Sequence, residues 1–244
     1  MTRYYRLSYT KSQRPMNTIF LSPSDLAFLF DDSPWGFHQK YNQGIKRPPV
    51  IIPRIFTVID TLTKVCCENK NMKEFDPSFP DAILTGADQW VKSKPISNPD
   101  YPDYEVILRG KIDGVLKFSD GTHSIIDFKT CEIQEKTLQK YVRQLSCYSY
   151  ALLNPNSASD YSVKINEKIG LFVYEPTKFS IGDDGSANLG GKLKYLEYNL
   201  DIDAFTKFIQ QEVIPLIAGK EPKPTDDDPC WVYIKQFGFV YEEE

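Results

Sequence analysis

Apolar positions come in short, dense runs in the middle of the chain. Val106, Ile107 and Leu108 are followed by Ile112, Val115, Leu116 and Phe118, so Glu105 to Phe118 reads as β-rich. Ser119-Asp120-Gly121-Thr122 is a turn, and His123-Ser124-Ile125-Ile126-Asp127-Phe128-Lys129 is the next strand. The two form an antiparallel hairpin. A long helix follows, roughly Gln134 to Leu153, ended by Asn154-Pro155-Asn156.

Upstream, Leu21-Ser22-Pro23-Ser24-Asp25 has the composition of a helix start, with Ser22 as N-cap and Pro23 at the first helical position. The helix runs through Leu26, Phe28, Leu29 and Phe30, is interrupted at Pro34, and resumes over Trp35 to Tyr41. Ile55 to Glu68 is helical, with Ile55, Ile59, Leu62 and Cys66 near one face. Residues 69 to 102 read as irregular, with a short helix or strand near Ala87 to Lys92. Downstream, Ile169 to Tyr174 is a short apolar strand and a candidate central parallel neighbour. Asp183-Asp184-Gly185 and Gly190-Gly191 mark turns, and Lys192 to Leu200 is a further strand. Asp201 to Ala218 is an amphipathic helix kinked or ended near Pro215, and Gly219 to Asp228 is an exposed tail. The order predicts the α/β class, a small mixed β-sheet flanked by α-helices.

The length of 244 residues suits one domain, with its core over about residues 50–200, a helical segment at 20–45 and a C-terminal helix and tail at 201–244. No run approaches the length of a membrane span, and no apolar segment follows Met1-Thr2-Arg3-Tyr4-Tyr5-Arg6, so neither a membrane nor a signal peptide is expected. Five cysteines without a CxxC pair suggest reduced thiols and a cytoplasmic location. A net charge of -4 argues against a surface coated with phosphate-binding charge. A local basic groove remains open to it. Lys46, Arg47, Lys111, Lys140 and Arg143 are the candidate backbone contacts. His38 is read as a helix-surface residue and His123 as an ordinary strand residue.

The candidate chemistry sits in the hairpin. Side chains at i and i+2 of a strand share a side, so Asp127 and Lys129 project together with Ile125, while Ile126 and Phe128 pack the opposite face. Two charged groups ending an apolar strand are costly to bury unpartnered. A metal ion and an anionic substrate would resolve that cost. Asp113 lies in the preceding strand. A turn at residues 119 to 122 pairs positions whose numbers sum to about 241, which sets Gly114 opposite Asp127. A bulge or a slip of one would bring the two carboxylates onto one face, and the register stays open. Two such carboxylates suit Mg2+ or Mn2+, hard cations that take oxygen ligands and keep several waters. On the following helix Gln144 and Tyr148 are spaced i, i+4, and with Tyr141 they form a polar and aromatic stripe.

Taken together, "RGKIDGVLKF", "IIDFKT", "QLSCY" and the opening "LSPSDLAFLFDDSPWGFHQKY" resemble, in order and spacing, the motifs of the RecB-like branch of the PD-(D/E)XK nuclease superfamily. The likeness covers about residues 20 to 153. It implies a restriction-endonuclease-like core and a Mg2+- or Mn2+-dependent deoxyribonuclease acting on single-stranded ends or flaps of DNA. Asp113, Asp127 and the backbone carbonyl of Phe128 would be metal ligands, Lys129 the catalytic lysine, and Gln144 and Tyr148 support for the site or DNA contacts, beside Tyr141, Arg143 and Lys111. Asp60 stands where relatives carry an upstream acid or histidine. Many relatives hold an iron–sulfur cluster with four cysteines. Here Ser33-Pro34 stands at the place of a Cys-Pro, and the tail offers Cys230 in "DPCWVYIKQ". No cluster is therefore expected, with the clasp between the chain ends lost or replaced by packing of Trp231 and Tyr233. No P-loop is found. The other class of reading is a non-catalytic nucleic-acid- or protein-binding module that keeps the fold.

Overall fold

A computed structural model describes residues 16–46, 52–86, 88–132, 135–238 and 240–241. The first stretch holds β1 (Asn17–Leu21), a π-helical turn Asp25–Leu29 running into α1 (Phe30–Asp32), α2 (Pro34–Gln43) and β2 (Ile45–Lys46). Next come α3 (Arg54–Cys67), β3 (Ala82–Thr85), β4 (Gln89–Lys92), β5 (Ile96–Ser97), β6 (Tyr104–Ile112), β7 (Gly114–Phe118) and β8 (His123–Thr130). The remainder is α4 (Glu135–Leu153), β9 (Ile165–Ile181), β10 (Ala187–Asn199), α5 (Ile202–Phe208), a π-helical turn Ile209–Val213, α6 (Ile214–Ala218), α7 (Pro229–Phe237) and β11 (Val240–Tyr241).

The class is α/β as expected, but the strands form two mixed sheets and a separate short antiparallel pair of β2 with β11 rather than one sheet. In the larger the order is β10-β9-β8-β7-β3, with β9 parallel to β8 and the other pairs antiparallel. In the smaller, β6 lies between β1, its parallel neighbour, and β4, with β5 also paired to β6. The expected strand from Glu105 to Phe118 breaks at Asp113: residues up to Ile112 belong to the smaller sheet and those from Gly114 to the larger. Gly114 permits the crossing, because a Cβ there would lie 2.8 Å from Leu84 and 3.1 Å from Ile126. An apolar run continues through such a corner, so its pattern does not reveal the change of sheet.

Ile169–Tyr174 is the core of β9, parallel to β8 as anticipated, with Asp127 beside Leu171 and Lys129 beside Val173. The hairpin of β9 and β10 reaches well past the expected strands. Its outer half is exposed, including the large apolar Phe179, Ile181 and Leu189, and antiparallel pairing orders it instead of core burial. Gly190 and Gly191 mark a bulge there, not a turn; a Cβ on Gly191 would stand 2.3 Å from the Glu175 carbonyl. The stretch 69 to 102 holds three short strands that their partners stabilise more than their own sequence does.

α4 covers one face of the larger sheet, where Leu145, Tyr148 and Leu152 pack on Ile125, Leu171 and Val173. The opposite face buries Leu84, Leu116, Ile126, Phe128 and Phe172 with Met72 and Phe79. A second core joins the smaller sheet to both ends of the chain through Leu21, Leu26, Phe37, Leu108, Phe205 and Ile209. The helix of Ile202 to Ala218 accommodates Pro215 by the π-helical turn just before it, since proline supplies no amide hydrogen. His38 is a correction: it is buried, packed near Gly219 rather than turned to solvent, and burial holds its imidazole below the usual range against the pull of Gly219 and Glu221. α3 forms where expected, yet Ile55, Val58 and Leu62 stay exposed beside a cleft of about 410 Å³ between α3 and the β9–β10 hairpin. The tail is mostly exposed except for Asp228, and α7 follows it. Among the described residues no helix is long and apolar enough to cross a membrane.

Candidate active site

β8 directs Ile125, Asp127 and Lys129 toward α4 and Ile126 and Phe128 to the other face. Its ladder with β7 pairs Gly114 with Ile126. One step further, Asp113 stands across from Asp127. The pairing is thus offset by one from the nominal hairpin count, and this is the offset that brings the carboxylates together. Asp127 is 3% exposed. Its pKa is raised, first by burial, against the opposing pull of Lys129, and then by the Asp113 carboxylate. The Lys129 ammonium lies against Asp127 Oδ2, without the angular geometry of a hydrogen bond. Burial pulls Lys129 down, but Asp127 and Asp113 outweigh it and hold the ammonium above its usual range. The Tyr141 ring lies 5.0 Å from the Lys129 nitrogen, a cation–π contact.

α4 completes the inner wall. Gln144 Nε2 donates to Asp127 Oδ1 at 3.5 Å, and the buried Gln144 Oε1 makes no hydrogen bond of good geometry. Tyr148, one turn on, is buried against Gly110, where a Cβ would come within 2.9 Å of its ring.

The outer wall is α3, and it supplies a residue that sequence reasoning passed over. Lys64 Nζ donates to Asp113 Oδ1 at 2.7 Å and contacts Asp60 Oδ2 at 3.0 Å. Burial lowers the Lys64 pKa, and the Asp113 and Asp60 carboxylates more than restore it, so it too is raised. The i, i+4 spacing of Asp60 and Lys64 was the available signal. Asp88 lies 3.9 Å from Lys64 and 3.2 Å from Lys111, so Lys111 faces a carboxylate at the rim. Asp60, Lys64, Asp88 and Lys111 border an open cavity of about 370 Å³.

Other expected contacts are engaged within the protein. Arg143 donates to Asp31 at 2.8 Å and to the Leu26 carbonyl at 3.2 Å, and its guanidinium sits 4.5 Å from the Phe208 ring. Lys140 pairs with Asp32. Lys46 belongs to β2, and Arg47 lies outside the described residues.

A family model of the PD-(D/E)XK nuclease superfamily matches residues 68–230, more than half of the chain. The chain belongs to the PD-(D/E)XK nuclease superfamily. Superfamily members are generally nucleases, they typically use divalent metals, and their substrates are nucleic acids. The match begins just after α3, so Asp60 and Lys64 precede it. No curated protein matches the chain. A crystal structure of SSO0001 is similar over 84% of this chain and 78% of its own, at 13% identity and a TM-score of 0.42; so loose a likeness assigns no property to the present protein.

The donor set of this PD-(D/E)XK chain fits a hard divalent cation. Asp113 and Asp127 offer carboxylate oxygens on one face, and Asp127 Oδ2 is buried without a hydrogen bond. Among the described residues no three His, Cys, Asp or Glu side chains converge, because Lys64 stands between Asp60 and Asp113. Magnesium commonly takes only one or two protein carboxylates, so the pair suffices.

Proposed function

We propose that the protein is a metal-dependent nuclease that hydrolyses phosphodiester bonds of DNA, acting on single-stranded ends or flaps. The observation that carries this reading is the juxtaposition of Asp113 and Asp127, from two strands, on the face that also presents Lys129. Fold stability alone gives no reason to set a second carboxylate beside the buried Asp127. Asp113, Asp127 and the Phe128 carbonyl would hold Mg2+ or Mn2+, with Asp60 as a further carboxylate behind Lys64. When bound, such an ion activates water and neutralises charge developing on the phosphoryl group. Lys129, kept protonated by its acidic neighbours, places positive charge where the phosphate oxygens or the attacking water would lie. Gln144 holds the Asp127 carboxylate from behind, Tyr141 covers the Lys129 ammonium, and Tyr148 lines the approach.

The test is cleavage of end-labelled single- and double-stranded DNA, and of matching RNA, with Mg2+, Mn2+ or EDTA. Wild type is compared with Asp127→Ala and Lys129→Ala. Metal-dependent cleavage that both substitutions abolish in folded protein supports the reading. A second reading has one observation in its favour: the Lys64 ammonium on Asp113, which offers this carboxylate a built-in counter-ion. On that reading the chain is a non-catalytic nucleic-acid-binding module. Folded wild type that binds DNA but cuts no strand with either metal would establish it.

A further inference from the structure

The outer face of the smaller sheet has a composition that packing does not explain. Paired positions across a ladder share a face. Phe20 lies beside Ile107, Lys92 beside Arg109 and Trp90 beside Lys111, so these six side chains form one surface. Trp90 is 61% exposed and Phe20 47%. Each ring has a cation over it: Arg109 at 5.6 Å from the Trp90 ring and Lys92 at 5.3 Å from the Phe20 ring. Two large aromatics held open to water are an unfavourable use of a sheet face, and the cations fix their ring planes without covering them.

This face continues into the site. A groove of about 410 Å³ runs from Phe20, Trp90, Arg109 and Lys111 to Tyr148, past Pro23. Gly110 forms its floor, because a Cβ there would meet Pro23 at 2.8 Å. Tyr148 stands one helical turn from Gln144, which contacts Asp127. The acids nearby are Asp88, paired with Lys111, and Glu105, which accepts from Thr18 at 2.6 Å at the far end of the sheet. Lys92 and Arg109 therefore dominate the charge between the rings.

We propose that this face is a stacking subsite for single-stranded nucleic acid, in which Trp90 and Phe20 each stack an unpaired base while Arg109, Lys92 and Lys111 meet the phosphates. Flat open rings interleaved with cations suit a strand whose base faces are accessible, which a duplex does not offer. The inference rests on the nuclease reading for its substrate and adds where the strand lies beyond the cut.

Binding is measured by fluorescence anisotropy in EDTA, with a labelled single-stranded oligodeoxynucleotide and an abasic strand of equal length and charge. Trp90→Ala is expected to weaken binding of the normal strand roughly tenfold and leave the abasic strand unaffected. Trp90→Phe should recover most of the loss, and Phe20→Ala combined with Trp90→Ala should lose more. Thermal melting verifies that each variant is folded. Equal loss on both strands, no loss on either, or a wild type that binds the two strands alike or not at all would overturn the subsite. Cleavage is scored separately with Mg2+. Base-dependent binding without cleavage removes the nuclease and leaves the subsite, and cleavage without base-dependent binding does the reverse.

Discussion

Ser33 Oγ donates a 2.7 Å hydrogen bond to Asp228 Oδ1, joining residues 195 positions apart. Each is a helix N-cap. Ser33 Oγ accepts from the Gly36 amide at the start of α2, and Asp228 Oδ1 accepts from the Cys230 and Trp231 amides at the start of α7. One buried hydrogen bond therefore couples the caps of two helices from opposite ends of the chain. Around it Trp35 and Trp231 meet edge-to-face at 5.1 Å, and Cys230 is buried with Trp35 and Ile234. Ser33 and Cys230 are the two positions singled out by the resemblance to cluster-bearing relatives, Ser33 as a departure from their pattern. In this chain they sit in a hydrogen-bonded, aromatic clasp. Trp231 packs as expected, whereas Tyr233 turns to Phe237, 4.7 Å away.

Ser33→Ala removes a cap and the one hydroxyl that donates to Asp228 Oδ1, leaving that oxygen its two backbone donors. It should lower stability by about 2 kcal/mol and the melting temperature by roughly 4–8 °C. A double-mutant cycle with Asp228→Ala, read by urea denaturation, should show coupling above about 0.5 kcal/mol. Additive losses would mean that the caps act independently.

Lys64 supplies the ammonium that hydrogen-bonds to Asp113. Lys64→Ala should destabilise the metal-free protein and give a larger rise in melting temperature on adding Mg2+, since the ion no longer competes with an ammonium. Titration calorimetry with Mg2+ should show tighter binding than in wild type. An unchanged Mg2+ response would show that the ion and Lys64 do not share Asp113.

On the proposed function Gln144, 3.5 Å from Asp127 Oδ1, would act through that carboxylate rather than on a substrate. Gln144→Ala should reduce metal affinity and cleavage by about 10–100-fold, as loss of a carboxylate's supporting partner does, while Lys129→Ala should abolish cleavage without lowering metal affinity, since it removes an ammonium from Asp127. Equal effects of the two on Mn2+ binding would contradict these separate roles.

The face pattern of β8 was legible from alternation alone: Asp127 and Lys129 on one side, Ile126 and Phe128 on the other, as found. So was the long helix that carries Gln144 and Tyr148, because its apolar spacing is regular. Register was not legible, because a turn count fixes pairing only to within a bulge, and the corner at Asp113 looks like continuous strand. Lys64 escaped notice because an i, i+4 ion pair on a helix is ordinary. Only the third dimension brings it to Asp113. The clasp was half visible: Ser33-Pro34 and Cys230 stood out from the resemblance, but a serine and an aspartate so far apart carry no shared local signal.

A half-buried carboxylate away from the site predicts how stability responds to acid. Asp25 accepts from Lys40 Nζ at 2.6 Å and from the Tyr41 hydroxyl at 2.7 Å, where the Asp25–Leu29 turn meets α2. Burial raises its pKa, but the hydrogen bond and charge of Lys40, with Tyr41 and Ser22, outweigh that and hold it below the usual carboxylate range. A carboxylate depressed in the folded state stabilises the protein above its unfolded value, near pH 4. That contribution disappears as pH falls through the lower folded value. Asp25→Asn removes the titration. Wild type should therefore exceed Asp25→Asn by a constant margin from about pH 7 down to about pH 5, and the margin should shrink below about pH 4 as the carboxylate protonates. Urea denaturation of both proteins across this range measures the margin directly. A margin as large under strongly acidic conditions as at neutrality would mean that the Asn side chain loses packing rather than charge.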